Sequence, residues 1–128
     1  MKKVVYVICI MTLAFALAAC GDSPEEPSEA PAYSQAVIDQ GETLYTQTCF
    51  ACHGPDATGI ENLGKDLTTS EYFATSTDAE LVTYVNEGRA ADDPLNTTGI
   101  EMPPKGGFDF LTDDDIQSVI AYLRQLQK

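Results

Sequence analysis

Cys49-Phe50-Ala51-Cys52-His53 is the stretch from which this chain is read. Two thiols stand three positions apart, and an imidazole follows at once. This is the attachment pattern of a c-type haem. A haem carries two vinyl groups on adjacent pyrroles, and two cysteines on one helical turn can each add to one of them as a thioether. His53 then lies against the macrocycle and offers a ring nitrogen to the iron. Two other readings share the CxxC pair: the dithiol of thioredoxin-like proteins and half of a zinc site. The first needs a βαβ setting, and no strand-like alternation surrounds these residues. The second needs four ligands, and beyond residue 20 the Cys and His residues are Cys49, Cys52 and His53 alone. One covalent haem c is the expected cofactor, held by Cys49 and Cys52, with His53 as an axial ligand.

The chain has 128 residues, which predicts one domain. Seven Lys and Arg against 20 Asp and Glu give a net charge of -13. Phosphate binding needs clustered cations, so nucleic acid is excluded as a partner. Adhesion to anionic lipid by charge is excluded on the same ground. An acidic surface serves solubility, or it is a docking face for a basic partner.

Residues 1–19 read as an export signal. Met1-Lys2-Lys3 is a positive start, and Val4 to Ala18 is an apolar run interrupted only by Thr12. The run is short for a membrane span, and small residues close it. Leu17-Ala18-Ala19-Cys20 resembles the lipobox of bacterial lipoproteins, in which cleavage precedes a cysteine that becomes lipidated. The alternative is an ordinary signal that leaves Cys20 a free thiol. Loss of Lys2 and Lys3 with the signal lowers the net charge by two, from -13 to -15. Residues 20–33 combine the anchor Cys20 with an acidic, Pro-rich stretch too poor in apolar bulk to order itself. Such a tether reaches on the order of 40 Å at about 3.3 Å per residue. Cys9 leaves with the signal, so no cysteine pair remains for a disulfide.

The folded domain is expected over 34–128. Ser34 is the expected N-cap of a first helix, on which Val37, Ile38, Gly41, Leu44, Tyr45 and Thr48 recur at helical spacing. Gly41 inside it costs about 1 kcal/mol relative to Ala, which points to close approach of another helix. Gly54-Pro55 ends this helix. Thr69 is expected to cap a short helix near Leu67–Phe73. Thr77-Asp78-Ala79-Glu80 is a capping box, and the helix it opens stops at Gly88. No period persists from Arg89 to Leu111, a long loop rich in Pro and Gly. Thr112 caps the last helix, with Asp113, Asp114 and Asp115 at its positive end. Ile116, Val119, Ile120, Leu123 and Leu126 form its apolar face. The fold class is all-α, with about four helices and long loops. So short a domain makes a thin core, and the haem supplies the missing apolar bulk.

His53 is the chain's single His, and Met102 is the only Met outside the signal, which holds Met1 and Met11. An iron with both axial positions filled by His or Met therefore takes His53 and Met102. Met/His ligation raises the haem potential. A closed coordination sphere also blocks small ligands, and the combination suits outer-sphere electron transfer. The competing reading makes Met102 core filler. Against it, Met102-Pro103-Pro104 is held extended by its prolines and flanked by glycines and polar residues.

On Cys49-Phe50-Ala51-Cys52-His53-Gly54, the Met102-Pro103-Pro104 loop and a final helix with an aromatic at Tyr122, residues 34–128 resemble a class I cytochrome c of the small bacterial monohaem type. The resemblance implies helices wrapped around one haem c, with the first and last crossing closely. Gly41 and Tyr45 should then meet Tyr122 and Leu123. It also implies electron transfer through an exposed haem edge, without enzymatic activity. Many members place a Pro downstream of the haem His, whose carbonyl takes the proton of the other imidazole nitrogen. Gly59-Ile60-Glu61-Asn62-Leu63-Gly64 contains none, so that partner is left open. Leu63 and Leu67 are candidate haem-packing residues, and Tyr72 and Arg89 candidate propionate contacts. Each has a surface or core role as its alternative.

The leading expectation is a lipid-anchored one-electron carrier on the periplasmic side of a bacterial envelope, with inner or outer membrane left open. Its partners are a redox donor and acceptor, or a respiratory complex with a basic docking face, and no small-molecule substrate. The alternatives are a haem peroxidase-like enzyme and a gas or redox sensor. Both need a vacant or labile iron site, and so need Met102 off the iron.

Overall fold

Ser34 opens the first helix of the computed structural model, which describes residues 32–128. The expected signal over 1–19, the anchor Cys20 and the tether as far as residue 31 lie outside the described residues. Helix α1 spans Gln35–Thr48, α2 Phe50–His53, α3 Glu71–Thr75, α4 Asp78–Glu87 and α5 Asp113–Leu126. One 3₁₀ turn covers Pro104–Gly107. The expected four helices counted α1 and α2 as one, which Cys49 divides. Among the described residues there are no strands, only two isolated bridges, Ile60–Gly64 and Arg89–Met102. No described helix is long and apolar enough to cross a membrane.

The two longest helices, α1 and α5, form the most extensive contact of the fold. α1 buries Gly41, Tyr45 and Thr48, a stripe at spacings of four and three. α5 buries Ile116, Ser118, Val119, Ile120, Ala121 and Leu123. At the crossing, a Cβ on Gly41 would lie 1.9 Å from the Ser118 carbonyl oxygen and 3.0 Å from Tyr122 Cβ. Only glycine fits there. One turn further on, the Tyr45 and Tyr122 rings lie 5.5 Å apart, tilted by 48°. The expected crossing of first and last helices is therefore present.

Helix starts follow hydroxyl chemistry. Thr77 and Glu80 form the expected capping box of α4. Thr112 forms another on α5: its hydroxyl accepts from Asp115 N–H at 3.2 Å, and Asp115 Oδ2 accepts from Thr112 N–H at 3.0 Å. Asp115 thus closes a cap, beyond the dipole role its position suggests. Ser34 has the extended backbone of an N-cap but makes no side-chain capping bond. The cap of α3 is Ser70, not Thr69. Asp66 explains the shift, because its Oδ1 accepts from Thr68 N–H, Thr68 Oγ1 and Thr69 N–H. Those residues belong to a side-chain turn, and the helix begins after it.

Arg124 ties the α3–α4 junction to α5. Its guanidinium donates to Asp78 Oδ1 at 2.9 and 3.0 Å, to the Phe73 carbonyl at 2.7 Å and to the Ser76 carbonyl at 2.6 Å. It also stacks 4.8 Å from the centre of the Phe73 ring. Tyr33 donates its hydroxyl to Asp78 as well.

Candidate functional site

Cys49, Cys52 and His53 share one turn. Cys49 N–H bonds the Tyr45 carbonyl at 2.9 Å, and His53 N–H bonds the Cys49 carbonyl at 3.0 Å. Neither cysteine is in a disulfide; Cys52 is exposed and Cys49 half-buried. Burial pushes the Cys49 thiol up, while a hydrogen bond with Thr48 at 3.3 Å pulls it down. Tyr45 donates its hydroxyl to the Gly54 carbonyl at 2.6 Å and so pins the far end of the turn to α1.

His53 Nδ1 lies 2.9 Å from the Lys65 carbonyl oxygen. A carbonyl can only accept, so Nδ1 carries the proton and Nε2 presents the lone pair. Burial lowers the His53 pKa, opposed by the bond to Lys65, which favours the neutral ring that a metal needs. Lys65 thus takes the place that the sequence left open. Gly64 brings it there: a Cβ on Gly64 would lie 2.1 Å from the Cys52 carbonyl oxygen. Gly59 has φ +82° and donates its N–H to the His53 carbonyl at 2.8 Å. The signal available in the sequence was this glycine pair, not the side chain of Lys65.

Met102 is half-buried and its main chain is fixed. Arg89 N–H bonds the Met102 carbonyl at 2.7 Å, and Met102 N–H bonds the Arg89 carbonyl at 2.9 Å. Gly88 makes room, since a Cβ there would lie 2.3 Å from the Met102 carbonyl oxygen. The loop closed by this bridge is organised by Asn96. Its amide donates to the Ala90 carbonyl at 3.0 Å and the Ile100 carbonyl at 2.7 Å, and its Oδ1 accepts from Gly99 N–H at 2.9 Å. No motif in the sequence marks Asn96 for this role.

The remaining candidates fall into two places. Tyr72, Tyr84 and Arg89 come together, with the guanidinium carbon 5.3 Å from the Tyr72 ring centre and 4.7 Å from that of Tyr84. Leu67 packs against the core, and its N–H bonds the Ala57 carbonyl at 2.8 Å. Leu63 is exposed.

These residues fit a haem c. A turn offers two free thiols, and the adjacent imidazole is oriented with its Nε2 free. Large apolar side chains that a core would bury lie exposed on the flanking segments: Phe50 on α2, Ile60 and Leu63 after His53, Leu95 and Ile100 before Met102. Apolar surface of this kind marks a binding site. Among the described residues no group of three or more His, Cys, Asp and Glu side chains gathers to hold a bare metal ion, so the zinc reading finds no cluster.

Comparison with known proteins agrees. A family model described as cytochrome c oxidase, cbb3-type, subunit III, matches residues 36–123. Cytochrome c-551 of Bacillus subtilis (strain 168) is 38% identical over 124 residues, covering 94% of each chain. A solved structure, KustC0563 c-type cytochrome, is 23% identical and covers 69% of this chain and 98% of its own, with a TM-score of 0.49. The family match over most of the domain and the identity to the Bacillus protein place this chain in the c-type cytochromes, electron-transport proteins of all-α class I fold carrying covalent haem c, within the family described as cbb3-type oxidase subunit III.

Proposed function

We propose that the protein is a lipid-anchored monohaem carrier, passing single electrons between redox proteins on the outer side of a bacterial membrane. When bound, the haem supplies a one-electron Fe(II)/Fe(III) couple. Cys49 and Cys52 hold it covalently through thioethers. His53 offers Nε2 to one face of the iron, and its bond to Lys65 keeps the ring from rotating and raises its basicity. Met102 would supply its thioether to the iron as the second protein ligand, which would raise the potential and keep small ligands out. Electron transfer of this kind asks no side chain to transfer a proton or to form a bond with a substrate. Cys20 anchors it, and the acidic segment that follows tethers the domain to the membrane.

The observation that most favours this closed site is the pair of main-chain hydrogen bonds that hold Met102 against Arg89. A methionine meant to swing away needs no such bridge. Ferric holoprotein should display the weak sulfur-to-iron absorption band at the near-infrared edge, and Met102→Ala should lose it. Reduced wild type should not bind carbon monoxide. Ready binding by wild type would favour the peroxidase or sensor readings and overturn this one.

A further inference from the structure

Arg89 is tied to Met102 by main chain and to its surroundings by side chain. The paired bonds at 2.7 and 2.9 Å link its backbone to that of Met102 in both directions. Its side chain is 13% exposed and packs against two aromatic rings, those of Tyr72 and Tyr84, which touch each other with their centres 5.3 Å apart. Its Nη1 donates to the Leu95 carbonyl at 3.2 Å, and its Nε lies 4.0 Å from Asp93 Oδ1. Burial raises the Tyr84 pKa, with Arg89 opposing it, so Tyr84 presents a neutral ring face to the cation. Cation–aromatic stacking strengthens when the cation loses water, and a guanidinium can stack and donate at the same time where an ammonium cannot. A residue so held from the side-chain end has little freedom at its own backbone.

We propose that Arg89 is the positioning residue for Met102. Contact with the Tyr72–Tyr84 ring pair and the bond to the Leu95 carbonyl hold the Arg89 side chain. That hold fixes the Arg89 backbone, and the bridge passes the constraint to Met102. Leu95 belongs to the loop that the bridge closes, so the same guanidinium restrains the loop at its middle and at its end. The assignment rests on Met102 being the axial ligand. In this role Arg89 works from the protein side, through its own backbone, without touching the iron.

The test uses ferrous and ferric holoprotein. Arg89→Met keeps the length and apolar character of the stem and loses the charge and the donors. It should weaken the sulfur-to-iron band at room temperature and open the reduced protein to carbon monoxide, which wild type excludes. Haem loading and helix content should stay as in wild type. Arg89→Lys keeps the charge but not the planar donor set, and should behave like Arg89→Met. Rescue by Lys would make charge the cause and overturn positioning. Tyr84→Leu, which removes one ring of the pair and leaves Arg89 in place, should give a smaller change of the same kind. It decides the matter if Arg89→Met loads no haem: an unaltered band in Tyr84→Leu overturns the proposal. If Met102→Ala loses the band while Arg89→Met keeps it and still excludes carbon monoxide, the positioning role alone fails. If Met102→Ala keeps the band, the ligand assignment itself has failed.

Discussion

At the scale of single residues, glycines carry the geometry that larger residues express. Gly41 lets α1 reach α5, Gly64 lets the Lys65 carbonyl reach His53, and Gly88 lets the Met102 segment pass the end of α4. The first is the sharpest case, because the obstacle is backbone. With a Cβ only 1.9 Å from the Ser118 carbonyl oxygen, no side-chain rotation can relieve Gly41→Ala. The helices must part, and Tyr45 and Tyr122 lose their packing. Overpacking of this kind costs about 3 kcal/mol or more, against which the better helix propensity of Ala returns about 1 kcal/mol. Denaturant unfolding of the holoprotein should therefore register a net loss of about 2 kcal/mol or more. A variant as stable as wild type would contradict the close crossing. Gly41 was legible in the sequence because a mid-helix glycine is costly without a partner. The Lys65 carbonyl was not, because any residue can supply a backbone acceptor and only the folded loop says which one arrives.

Helices and their ends form the next scale, where the sequence was most transparent. Both capping boxes lie where a hydroxyl residue stands three positions before an acid, Thr77 before Glu80 and Thr112 before Asp115. The start of α3 was misjudged by one residue because Asp66 draws Thr68 and Thr69 into its own turn, a competition that local spacing does not reveal. The stacking of Arg89 was likewise hidden, since it joins residues from α3, α4 and the following loop. The α5 cap makes a prediction with a pH signature. Thr112→Ala should cost about 1 kcal/mol at neutral pH. The hydrogen bonds from the Thr112 side chain, then from its N–H, lower the pKa of Asp115. A carboxylate depressed in the folded state stabilises it above the unfolded pKa and loses that contribution as pH falls through the folded value. The gap between wild type and Thr112→Ala should thus narrow below about pH 4. Urea titrations of the two holoproteins at neutral and acid pH, followed by circular dichroism, measure it. A gap that does not change with pH would assign the whole effect to the hydroxyl's own capping bond.

At the scale of the whole molecule, charge and apolar exposure meet on the same loops. Leu95 and Ile100 are 61% and 46% exposed, and Phe110 is 65% exposed. Asp92, Asp93, Glu101 and Asp109 stand among them in sequence, and the chain as a whole carries -13. An acidic surface suits brief contact with a basic protein, because complementary charge speeds encounter. The charge must then act where electrons leave. Two small reagents of opposite sign can test this without knowledge of the natural partner. Oxidation of the ferrous holoprotein by cobalt(III) hexaammine, a cation, should slow as salt is added. Oxidation by ferricyanide, an anion, should quicken over the same range. The Debye length shrinks from about 30 Å at 0.01 M to about 8 Å at 0.15 M, so most of the change should fall within that interval. Opposite slopes locate the acidic field at the electron exit and favour a basic docking face on the partner. Equal slopes would mean that the excess acid lies elsewhere and serves solubility alone.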